Sequence, residues 1–148
     1  MKKVELGTVS HGTMRNEDLI PAFSELLWKL DEKKQYPDLI ADCIDIEASG
    51  DYETENAGDI IVELIDALDY FAPEYCYFSA NEGDGSDYGF WVDMEIVEWN
   101  IDDGKLLKVS DLSNVPSGYN GSVIVVNDHG NVTLYEPVIE YREVWAIV

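Results

Sequence analysis

Apolar positions recur at helical spacing in the first half of the chain and cluster with β-favouring residues in the second. The first helical stripe is Leu19, Ile20, Phe23, Leu26, Leu27 and Leu30, at the i, i+3, i+4, i+7 spacing of one buried face. Thr13 or Asn16 is placed to cap its start, Glu17 and Asp18 suit the positive end of the helix dipole, and Lys29, Lys33 and Lys34 the negative end. Gln35-Tyr36-Pro37 breaks it. A second stripe, Ile60, Ile61, Leu64, Ile65, Leu68 and Phe71, predicts a helix over about 59–71. Its other face carries Asp59, Glu63 and Asp66 with Asp69 beside them, and like charges at that spacing oppose a helix by a few tenths of a kcal/mol per pair. Core burial must hold it. Between the two, residues 38–47 read both ways: Leu39, Ile40, Cys43 and Ile44 fit a short helix, while Ile44 and Ile46 alternate like a strand. Residues 49–58 read as an acidic loop.

After Pro73 the texture turns to β. YCYFS at 75–79 is rich in strand formers, and NEGDGSDYG at 81–89 reads as a turn region. Residues 90–101 fit a strand through Val92, Met94 and Ile96, or a helix through Val92, Ile96 and Trp99. KLLKV at 105–109 reads as a strand. A hairpin is predicted from 123–127 and 131–136, with Gly130 supplying the left-handed position of a three-residue loop. Residues 4–9 predict a short opening strand, and 138–148 a last strand or two. Helices first and strands afterwards predict an α+β fold, two to three N-terminal helices on one face of a mostly antiparallel C-terminal sheet. The absence of repeats or linkers points to one domain over residues 1–148.

Charge changes this picture more than size does. Thirty-one Asp+Glu stand against nine Lys+Arg among 148 residues, a formal charge of -22. No Lys or Arg occurs between Lys34 and Lys105, a stretch that holds twenty acids from Asp38 to Asp103. Such a chain repels nucleic acid and anionic membranes and attracts basic partners. Direct nucleic-acid binding needs a basic stripe, which is missing here. Acidity serves solubility too, so charge alone names no partner. Apolar content of 46% with nine tyrosines and four tryptophans argues against disorder. No apolar run reaches the ~18 residues of a membrane span, and the N-terminus lacks the apolar core of a signal peptide. Cys43 and Cys76 read as buried thiols in a reducing cytoplasm.

Candidate chemistry is sparse. Glu82 to Asp87 offers oxygen ligands for Ca²⁺ but departs from EF-hand spacing, and such a run is more often a solvated turn. Cys43, Cys76, Ser10, His11 and His129 supply nucleophile and base types without any established spacing. No catalytic residue, metal site or cofactor is therefore assigned. A small-molecule site or enzyme pocket near His11, His129 and the Glu82–Asp87 loop stands as the alternative to a binding protein; a scaffolding protein or homodimer is a third.

Two stretches, SHGTMRNEDLIPAF at 10–23 and VNDHGNVTLYE at 126–136, resemble small acidic proteins encoded by phages and other mobile elements, to which no activity is attached. The resemblance implies an accessory protein acting in a host cytoplasm, a setting that includes acidic DNA mimics directed at restriction or CRISPR machinery. The expectation is thus a non-enzymatic inhibitor that occupies the basic surface of a nucleic-acid-binding protein. Its contact surface is expected to include Asp51, Glu53, Glu55, Asp59, Glu63, Asp66, Asp69, Glu82, Asp84 and Asp87. Tyr52 and Tyr88, expected to be exposed, and Trp91 would act as aromatic anchors.

Overall fold

The first apolar stripe forms helix α1 (Asn16–Leu30), burying Leu19, Ile20, Phe23, Leu27 and Leu30. The structure is a computed structural model describing residues 3–138 and 141–147, and it divides into two compact units, Met1–Asp93 and Met94–Val148. In the first, β1 (Gly7–Ser10) precedes α1, followed by α2 (Pro37–Ser49), α3 (Glu55–Tyr70), β2 (Cys76–Asn81) and β3 (Asp84–Val92). The second holds α4 (Met94–Asp102), β4 (Leu106–Val109), a 3₁₀ turn at Leu112–Asn114, β5 (Ser122–Val126) and β6 (Val132–Tyr135). The fold is α+β.

Neither expected side-chain cap closes the start of α1. Arg15 occupies that position without a side-chain bond, Thr13 donates to Asp18, and Asn16 donates instead to the Tyr52 carbonyl at 2.9 Å. That last bond ties the start of α1 to the loop before α3. The ambiguous 38–47 segment is helical. Pro37 sits in its first turn, where a missing N–H costs least, and Gly50 closes it in the left-handed region at φ 74°. Burial of Leu39, Cys43 and Ile46 decides the matter, leaving Ile44 exposed. α3 starts earlier than the stripe suggested, because Thr54 Oγ1 accepts the Ala57 N–H at 3.2 Å and recruits 55–58 from the expected loop.

The three helices share one core with an antiparallel sheet of order β1-β3-β2. Phe23 of α1 meets Phe78 of β2 edge-on at 5.3 Å between ring centroids, and Phe78 meets Phe90 of β3 at 4.9 Å. Burying leucines such as Leu64 and Leu68 contributes about 1.5–3 kcal/mol each, well above the charge repulsion along α3. The expected turn at 81–89 shrinks to Glu82-Gly83, since Asp84–Val92 is strand. Residues 90–101 contain both readings in sequence: β3 runs to Val92 and α4 begins at Met94.

The C-terminal strands do not form the single sheet expected. They make a second sheet of order β4-β5-β6, in which β4 and β5 are parallel. A parallel pair needs a crossover of about a dozen residues, and residues 110–121 provide it. The β5–β6 hairpin forms as expected, with Gly130 at φ 79° and Asn127 Oδ1 accepting from the backbone of His129 and Asn131. The last strand expected at 138–148 is not found among its described residues, Val138 and 141–147; residues 139, 140 and 148 lie outside the described residues.

Candidate functional site

Charge is divided unequally between the units. Met1–Asp93 carries 22 acids against six Lys+Arg, and Met94–Val148 nine against three, so formal charges are -16 and -6. Within the first unit, cations gather on and around α1. Arg15 pairs with Glu17, Lys29 with Glu25 at 3.0 Å, and Lys34 Nζ sits 3.3 Å from the Trp28 ring centroid. Helices α2 and α3 contain no cation at all.

α2 packs against α3, and the junction leaves a groove of about 510 Å³. It is lined by Asp38 and Asp42 of α2, Glu63 and Asp66 of α3, and Tyr36 just before α2. A second hollow of about 390 Å³ shares Asp42 and adds Asp45 and Asp51. The two hollows meet at Asp42 and make up an anionic trough, and among the described residues no Lys or Arg lines either part. The Cys43 thiol beneath it is pushed up to about 12, first by burial and then by the negative charges of Glu47, Asp42 and Glu63.

The expected contact residues separate into three groups. Glu63, Asp66 and Asp51 line the trough; Asp59, Glu53 and Glu55 are exposed outside its walls. Asp69 is committed to the fold, because its Oδ1 accepts the Phe78 N–H at 2.8 Å and anchors β2. Glu82, Asp84 and Asp87 belong to the β2–β3 hairpin. There Ser86 donates backbone and hydroxyl hydrogens to Asp84 Oδ1, at 3.0 and 2.8 Å, and His11 Nε2 lies 3.1 Å from Oδ2. The Ser86 bonds above all, with a smaller contribution from His11, hold the Asp84 carboxyl below its usual range. Sequence reasoning missed Asp38, Asp42 and Asp45, which become neighbours of α3 only once 38–47 is helical.

Tyr52 and Tyr88 are not exposed anchors. Both are half-buried against the core, and Tyr88 packs edge-on against Phe23 at 5.3 Å, because the hairpin folds back over α1. Trp91 is half-buried and donates its indole N–H to the Ser79 carbonyl at 2.8 Å. His11 and His129 fall in different units, both exposed, His11 just past β1 and His129 in the turn between β5 and β6. Among the described residues, no group of three or more His, Cys, Asp and Glu side chains could hold a metal ion, and no helix is long and apolar enough to cross a membrane. No family model matches the chain, and no curated protein or solved structure matches it either.

Proposed function

We propose that this protein is a non-enzymatic, DNA-mimic-like inhibitor that occupies the basic nucleic-acid groove of a host defence protein of restriction or CRISPR type. The observation that carries the reading is the α2–α3 trough, walled by Asp38, Asp42, Asp45, Asp51, Glu63 and Asp66. Carboxylates one helical turn apart stand ~6 Å from one another, so two facing helices present anionic groups in regular rows. Duplex DNA offers its own regular rows of charge, and proteins that grip it carry Lys and Arg arranged to match. An acidic groove competes for those side chains without carrying a base sequence.

The test is displacement of labelled duplex DNA from purified restriction and CRISPR effector proteins. Competition is expected for at least one of them, and raising salt from about 50 to 200 mM is expected to weaken the inhibitor's own binding as charge attraction is screened. Neutralising Asp42, Glu63 and Asp66 to Asn, Gln and Asn should weaken competition by about tenfold or more. If DNA remains bound to every such protein at excess inhibitor and low salt, the reading is wrong.

A further inference from the structure

The second unit carries a feature that charge-based binding does not use. Its described residues Val138, Tyr141, Val144, Trp145 and Ile147 are 77–95% exposed. Exposed apolar residues are ordinary when scattered, but a run of them marks an interaction surface. The 138–148 sequence, VIEYREVWAIV, is dominated by β-branched and aromatic residues. The described residues 141–147 nevertheless pair with no strand.

A complement to this segment exists in the same unit. Among the described residues β6 pairs with β5 on one side only, so its other edge presents open ladder positions at Val132–Tyr135. Val132 and Tyr135 are themselves exposed, at 40 and 42%, and offer apolar cross-strand partners. Electrostatics favour association here above elsewhere. The unit holds only -6 of the -22, and its 138–148 segment carries two Glu against one Arg. Two copies meeting through this region bring together the less acidic of the two units.

We infer that residues 141–147 add as a β-strand to the free β6 edge of a second copy, and that the reciprocal exchange makes a two-fold homodimer. Each copy supplies one segment and one edge, so the pairing closes on itself and leaves no further edge of this kind to extend a fibre. The driving force is apolar burial, so salt strengthens the dimer by screening repulsion between acidic copies, opposite to its effect on partner binding.

Sedimentation velocity on the full chain, with hydrogen exchange on the same sample, tests this. The expected result is a species of twice the chain mass, favoured by salt, with backbone amides protected across 141–147 and on the β6 edge. Trp145→Glu and Val144→Pro should each weaken association about thirtyfold or more, the first by removing an aromatic anchor and the second a ladder N–H. Both should leave the far-ultraviolet circular dichroism of the first unit's helices unchanged. A monomer at all concentrations overturns the inference. So does a dimer whose 141–147 amides exchange freely, or protection of those amides in a monomer, which would place the strand in its own chain.

Discussion

Asp31 shows how a single carboxylate in this chain serves structure. It is 3% exposed, and its two oxygens accept the Gln35 and Tyr36 N–H groups at 2.9 and 3.0 Å, fixing the turn from α1 to α2. Asp31→Ala strands both donors and should lower stability by about 1–3 kcal/mol, read as a lower urea midpoint at unchanged slope. Gly89 is the matching case in the sheet. A Cβ there would lie 2.1 Å from the Gly7 carbonyl oxygen, so Gly89→Ala must push β1 off β3. A loss of about 1–3 kcal/mol is expected in the same experiment. Cys43 gives a pH signature. A thiol held near 12 in the folded chain keeps its proton while the unfolded chain ionises near its ordinary value of 9.0, so stability is intact below 9 and falls as pH rises toward 12. Alkylation of native Cys43 at pH 8 should be slower than that of the unfolded chain by a factor on the order of 10³, measured by mass spectrometry.

At the scale of elements, the trough sets function against stability. Asp42 and Glu63 belong to packed helices that hold no cation, so each carboxylate raises the energy of the other. Neutralising either to its amide should raise stability by a few tenths of a kcal/mol while weakening partner binding, and added salt should raise the wild-type melting temperature. A melting temperature that falls with salt would mean that the acids are matched by cations after all. The elements themselves were legible to different degrees. α1 and α3 declared themselves because each carries a single uninterrupted apolar stripe. α2 did not, because Ile44 and Ile46 supply a strand period as strong as the helical one, and only the core burying Leu39, Cys43 and Ile46 chooses between them. Residues 90–101 resisted assignment because a strand and a helix meet at Asp93 inside one reading window. The acids at 84–87 read as a turn, yet both lie in β3: Asp84 faces solvent at its start, while Asp87 is half-buried with its Oδ1 shut away from solvent.

For the whole molecule, the sequence announced an anionic protein but not where the charge is concave. That depended on α2, and with it on Asp38, Asp42 and Asp45, whose relation to α3 is tertiary. Nor did it announce the division into a strongly acidic helical unit and a mildly acidic one with an exposed apolar segment. These two surfaces should respond to salt in opposite senses, one losing its partner and the other gaining a copy of itself. Whether the trough takes the place of duplex DNA is read by fluorescence anisotropy of labelled DNA on a restriction or CRISPR effector at low and moderate salt. The wild-type chain is expected to displace the DNA stoichiometrically at low salt, and the Asp42→Asn, Glu63→Gln, Asp66→Asn triple variant to do so about tenfold less well. Equal displacement by the two proteins, or none by either, would contradict that expectation.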